Sequence, residues 1–232
     1  MKKIAVIVFS LSLLLSCRYR SGSGDIVTEK RSTGSFTGIN VGGGFDVELR
    51  IGSPSEVTVE ADDNLIKYVE TSVKDGQLRI RMDDMNVHDA HLKVFITAPS
   101  INDITASAAA TVEVKDEVKL NGAIQLHASS GADITIALDA PETVLNASSG
   151  AEINVSGRTK EVKAAVSSGS SIHAKELLSE NASAEASSGG SITVHASIVL
   201  DAKASSGGNI TYRGGANVKK SESSGGQVEK DN

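Results

Sequence analysis

Between Phe36 and about Ala98, apolar and polar residues alternate in short runs. FTGINV, FDVELRI, VTVEA, QLRIRM and HLKVFIT place apolar residues at every second position, the period of a β-strand with one buried face. Lys74-Asp75-Gly76-Gln77 sets an Asp-Gly pair between two runs and predicts a tight hairpin, because both central positions of that turn take positive φ. NLIKYV predicts a short helix with Leu65, Ile66 and Val69 on one face and Asp62 or Asp63 as its cap. Pro99 marks a break after HLKVFITA.

Beyond the break the alternation repeats. ASSGADITI (128–136) returns as ASSGAEINV, VSSGSSIHA, ASSGGSITV, ASSGGNITY and ESSGGQVEK, with glycines at 131, 150, 169, 189, 207 and 225. The steps are 19, 19, 20, 18 and 18 residues, a solenoid period. After each glycine come Ile134/Ile136, Ile153/Val155, Ile172/Ala174, Ile192/Val194 and Ile210/Tyr212. Before it stand Leu126/Ala128, Leu145/Ala147, Ala164/Val166, Ala184/Ala186 and Ala202/Ala204. Period two sends each pair inward, so larger residues on one wall face smaller ones on the other. Leucine-rich and helical repeats require consensus patterns that are absent, whereas a parallel β-helix with one coil per unit and a corner at Ser-Ser-Gly fits. The second serines (Ser130, Ser149, Ser168, Ser188, Ser206, Ser224) are expected to stack as a hydroxyl ladder. In the last unit Lys220 and Glu222 fall on inward positions; unpaired burial of charge is costly, so the core should end there in a cap.

Composition sharpens this picture. The 232 residues contain no Trp and only 3% aromatics, so the interior must be a thin one of Ile, Val, Leu and Ala. A formal net charge of −6 without a basic stripe excludes nucleic acid as a partner. Lys2 and Lys3 precede the apolar run IAVIVFSLSLLL, which has the length of a secretory signal core rather than of a membrane span. Leu14-Leu15-Ser16 before Cys17, the chain's one cysteine, resembles a bacterial lipobox. Residues 1–16 are therefore expected to be a lipoprotein signal peptide, Cys17 the lipid attachment site, and Ser/Gly-rich 17–34 a flexible tether. Arg18 stands where Asp would favour inner-membrane retention in bacterial lipoproteins, which points to the outer membrane. RYRSGSGDI lacks the acidic cluster usual in surface-exported lipoproteins, which leaves the face of that membrane open.

SFTGINVGGGFDVELRIG (35–52), with Gly38-Ile39-Asn40, resembles the signature of the head GIN domain family, whose members are named auto-transporter adhesins. VTVEADDNLIKYVETSVKDGQLRIR, FITAPSINDITASAAATVEV and the Ser-Ser-Gly units follow in order, so the resemblance spans roughly 35–215. It implies a right-handed β-helix in a secreted or envelope protein of the kind common in Bacteroidetes. The fold expectation is thus all-β: a right-handed parallel β-helix over 35–232, less regular over 35–105 and built of Ser-Ser-Gly coils over 106–232.

Candidate chemistry is sparse. His88 and His91 lie near Asp83, Asp84 and Asp89, but His-x-x-His in an acidic loop is expected to be solvated, since structural zinc requires closed four-ligand geometry. His127, His173 and His195 occupy different places in the coil, the first two outward. Asp133 and Glu152 share one outward site on adjacent units, at a separation that suits a retaining glycosidase. The same row continues as Ser171, Ser191, Asn209 and Gln227, without a basic cluster for uronates. Single-glycine corners do not form calcium-binding repeats, and no nucleophile elbow is present. The expectation is a non-catalytic, lipid-anchored envelope protein with no cofactor and no metal. It would be an adhesin-like module presenting a polar face to a protein or glycan ligand, with a ligand site not defined by the residues alone. The alternatives are a periplasm-facing envelope-maintenance lipoprotein and, after it, a polysaccharide-active enzyme using Asp133 and Glu152.

Overall fold

The computed structural model describes residues 19–83 and 85–231. The signal segment 1–16, Cys17 and Asp84 lie outside the described residues. In chain order the strands begin with β1 (Tyr19–Ser21), β2 (Ile26–Arg31), β3 (Gly38–Gly42), β4 (Asp46–Ile51) and β5 (Glu56–Asp62). They continue with β6 (Val69–Lys74), β7 (Gln77–Met82), β8 (Asn86–His88), β9 (Leu92–Ala98), β10 (Asp103–Ser107), β11 (Thr111–Val114) and β12 (Val118–Lys119). The repeats supply β13 (Ala123–Ser129), β14 (Asp133–Ser148), β15 (Glu152–Ser167), β16 (Ser171–Ala186), β17 (Ser191–His195), β18 (Val199–Ala204), β19 (Asn209–Arg213), β20 (Asn217–Glu222) and β21 (Gln227–Lys230).

These strands stack as the coils of a parallel β-helix. Ile134 pairs in register with Ile153, then Ile172, Ile192, Ile210 and Val228, forming one inward column. Leu126, Leu145, Ala164, Ala184 and Ala202 form the column on the facing wall. Every member of both columns is buried, and each fully buried Ile or Leu stabilises by roughly 1.5–3 kcal/mol. The uneven period also has a structural reason. The 20-residue unit carries a bulge where the register shifts opposite Asn154 and Ser156, absorbing one extra residue. In the following 18-residue unit the continuous strand divides into β17 and β18.

The corners are type I′ turns. Ser130 and Gly131 have φ of 54° and 73°, and the Ala132 N–H donates to the Ser129 carbonyl at 3.2 Å, the two-residue left-handed turn that suits twisted strands. Every Ser-Ser-Gly unit repeats it, Ala108-Ala109 makes the same turn earlier in the chain, and Gly43-Gly44 bends there with positive φ at both residues. The serine thus shares the positive φ that the sequence assigns to glycine alone. Successive corners are joined through the backbone rather than by the expected hydroxyl ladder: Gly131 N–H donates to Ser149 O, Gly150 to Ser168 O and Gly169 to Ser188 O, each at 3.1 Å.

The less regular N-terminal part doubles back. β3 lies between β7 and β10, and β4 between β9 and β11. The chain therefore lays down the β3–β4 coil, builds β5–β9 on one side of it, and crosses over residues 99–102 to continue on the other. Antiparallel strands close this end, with β5 on β9, β2 on β5 and β6 on β7.

Where a tether is expected, residues 19–31 carry two paired strands, β1 on β8 and β2 on β5. Asp62 fastens this segment. Only 1% exposed, its carboxylate accepts the N–H of Gly24 at Oδ1 and of His91 at Oδ2, both at 2.7 Å. Burial pushes the Asp62 pKa up, but these backbone donors outweigh it and hold it below the ordinary carboxylate value. Asp62 is therefore no helix cap. The expected helix is a single 3₁₀ turn, Ile66–Tyr68, with Leu65 at the cap position and no side-chain bond there.

At the other end Lys220 and Glu222 stand in register with the inward Ala202 and Ala204, and both are exposed. Glu222 folds over the end and accepts the Val228 N–H at 2.7 Å, which lowers its pKa together with the neighbouring Lys220. The apolar core ends at Val228, as the charges at 220 and 222 predict.

Candidate functional site

Outward residues form rows along the helix axis, one side chain per coil. The row of the candidate carboxylates runs Lys93, Asp46, Thr111, Asp133, Glu152, Ser171, Ser191, Asn209, Gln227. Asp133 and Glu152 are direct neighbours in it. Partial burial and then the Glu152 charge raise the Asp133 pKa. Glu152 is engaged by Asn154, whose Nδ2 donates at 2.7 Å, and lies 3.8 Å from His173 Nε2.

A second pair of rows, on the strand before each corner, encloses an open groove of about 620 Å³. One row runs Thr105, His127, Asn146, Ala165, Glu185, Lys203, each in register with the next. The other is made of the first serine of each corner: Ser129, Ser148, Ser167, Ser187 and Ser205. Alternation explains both rows, because the strand that buries Leu126 and Ala128 must turn His127 and Ser129 outward. Small side chains, Ala165 and the corner serines, leave the middle of the groove open. Its two charged groups neutralise each other, Lys203 Nζ lying 2.7 Å from Glu185 Oε1.

Neither Asp133 nor Glu152 lines this groove. Of the expected outward histidines, His127 lines it and His173 lies across the corner beside Glu152. His195 borders a separate cleft with Thr159, Ser179 and Ser197. His88 and His91 do not converge: His91 Nε2 contacts Glu60 Oε1 at 2.7 Å, while His88 lies beside Asp89. Among the described residues no group of three His, Cys, Asp or Glu side chains is placed to hold a metal. The groove itself is not singled out by the sequence, although the alternation that predicts the coils also places its rows outward. The Ser-Ser-Gly motif divides its work, the first serine facing the groove and the second, with glycine, making the turn.

The whole architecture is shared with solved structures. A "putative adhesin" from Bacteroides fragilis matches with a TM-score of 0.82 at 19% identity, over 91% of this chain and 98% of that one. A "putative adhesin" from Parabacteroides distasonis matches with a TM-score of 0.75 at 25% identity, over 92% and 100%. A "putative lipid binding protein" from the same species matches with a TM-score of 0.75 at 18% identity, over 93% and 100%. No curated protein matches. Residues 35–216 match the family model described as "Putative auto-transporter adhesin, head GIN domain", and the chain belongs to that family.

Proposed function

We propose that this protein is a non-catalytic, lipid-anchored envelope module of adhesin type, which holds an extended polymeric partner in the groove before the corners. The carrying observation is the groove itself: six successive coils, from Thr105 to Lys203, each present one outward side chain in register, all but Ala165 polar, beside a row of five corner serines. Such a surface suits a long partner bound through repeated weak contacts. Family membership and adhesin-named neighbours support the binding role. The sequence around Cys17 supports the outer-membrane lipid anchor.

A non-enzymatic role is favoured by the placement of Asp133 and Glu152 on an exposed row outside the groove, with Glu152 held by Asn154. The test is adhesion of cells carrying a deletion of the gene, complemented with the native chain or with Ala165→Gln, which fills the groove. Native complementation should restore attachment and the variant should not; equal attachment with both would remove the groove from the function. Protease shaving of intact cells tests the face of the membrane, and resistance there followed by cleavage after lysis would favour a periplasmic envelope role. Cys17→Ala should abolish incorporation of labelled fatty acid, and unchanged labelling would refute the anchor.

A further inference from the structure

We propose that the groove's partner is an uncharged linear glycan lying along the helix axis and read about one sugar per coil. This rests on the groove reading above and deepens it by naming the ligand class.

The first support is the backbone. The floor strands β10, β13, β14, β15, β16 and β18 are paired coil to coil on both sides, so their N–H and C=O groups are already committed. An extended peptide normally adds to a sheet through exactly such groups at a free edge, and this surface offers it none. Recognition must come from side chains, and here those are the hydroxyls of Ser129, Ser148, Ser167, Ser187 and Ser205 with Thr105, His127 and Asn146.

The second is spacing. Equivalent side chains on stacked coils recur about every 4.8 Å, whereas the same-face side chains of an extended peptide recur about every 6.7 Å. A peptide along the axis falls out of step within two coils. An extended β-linked hexose chain advances by nearly the coil step per ring with successive rings turned over, so each coil meets a ring with hydroxyls to offer and equivalent hydroxyls return at every second coil.

The third is charge. Glu185 and Lys203 satisfy each other, leaving the groove without a net field to hold a polyanion or polycation. Ala165 at the centre leaves room for a ring between Asn146 and Glu185. With no aromatic platform in the lining, each sugar adds only the net gain of one or two hydrogen bonds exchanged with water. Affinity should therefore accumulate with chain length, by roughly threefold per sugar, and level off once the six coils are filled.

The experiment titrates the purified full chain in detergent by calorimetry. The probes are neutral gluco-, manno- and N-acetylglucosamine oligomers from dimer to octamer, with an oligogalacturonate and a Ser/Thr-rich peptide of matched length alongside. The expected result is length-dependent binding of at least one neutral series, lost in Ala165→Gln and weakened in Ser148→Ala/Ser167→Ala. The double variant removes hydroxyls without adding bulk and so covers the case in which the first is misfolded; both variants are checked for native β-sheet circular dichroism. Binding that ignores length, persists in both variants, or prefers the polyanion or the peptide overturns the proposal. So does the absence of binding by every neutral series. If no glycan binds while Ala165→Gln still abolishes cell attachment, the glycan assignment falls and the groove reading stands; if attachment is unaffected by the variant, the groove reading falls.

Discussion

The backbone N–H of Gly131 donates to the carbonyl oxygen of Ser149, one coil away, at 3.1 Å. Because both turn residues have positive φ, this bond depends on backbone conformation rather than on the serine hydroxyl. Ser149→Ala should leave the corner intact, whereas Ser149→Asn should stabilise it by a few tenths of a kcal/mol, since Asn-Gly is the favoured type I′ pair. Urea denaturation checks both, and a large loss in Ser149→Ala would restore the hydroxyl ladder as the joining element.

Ala109 provides the converse case. It holds φ of 61° at the place that glycine occupies in the later corners, a conformation costing an L-residue about 1–2 kcal/mol. Ala109→Gly should raise stability by about 1 kcal/mol, less than the full strain because glycine also gains freedom in the unfolded chain. A lower denaturation midpoint would count against this account.

Gly157 is constrained by space as well as conformation. With φ of 111°, a Cβ built on it would lie 1.9 Å from the Leu138 carbonyl oxygen of the neighbouring coil. Gly157→Ala must open the coil stack next to the bulge and should cost roughly 3 kcal/mol. Thermal unfolding reads this directly, and a change within experimental scatter would show that the coils can separate locally at little cost.

Asp62 ties stability to pH. Its folded pKa is lowered, with burial opposed and exceeded by the N–H groups of Gly24 and His91, so its contribution is present above the unfolded carboxylate value. That contribution is lost as pH falls below about 4. Asp62→Asn cannot accept from both amides with both side-chain atoms, and it should destabilise by about 1–3 kcal/mol at neutral pH. It should also flatten the acid limb of the stability profile. Faster hydrogen exchange confined to residues 19–31 and the 88–91 loop would locate the effect.

Asp133 has the opposite sign. Partial burial and the adjacent Glu152 raise its folded pKa, so stability declines as pH rises through the window above the ordinary carboxylate value. Asp133→Asn should therefore be neutral or stabilising at pH 7. The pair Asp133→Asn/Glu152→Gln should leave glycan-cleaving activity at background; a polysaccharide turnover that this pair abolishes would turn the reading to an enzyme.

The coils were legible because each residue's inward or outward facing follows from a period of two, and each corner announces itself by a recurrent Ser-Ser-Gly. Lys220 and Glu222 marked the end of the core for the same reason: an inward position that cannot bury its side chain closes the stack. The groove was only half legible. Alternation turns Ser129 and His127 outward, but whether neighbouring rows rise or recede depends on how the sheet bends across coils.

What the sequence by itself determined is the local unit: strand, type of wall, corner and repeat length, all set by burial and backbone preference within about twenty residues. The tertiary structure alone decided that the β3–β4 coil sits inside the stack, between strands that follow it. It also decided that residues 19–31 are sewn onto the N-terminal end through Asp62. The reason is physical. Inward Val and Ile columns fit many neighbours equally well, so stacking order is chosen by long-range backbone pairing and by a buried carboxylate that needs its donors, neither of which leaves a periodic trace along the chain.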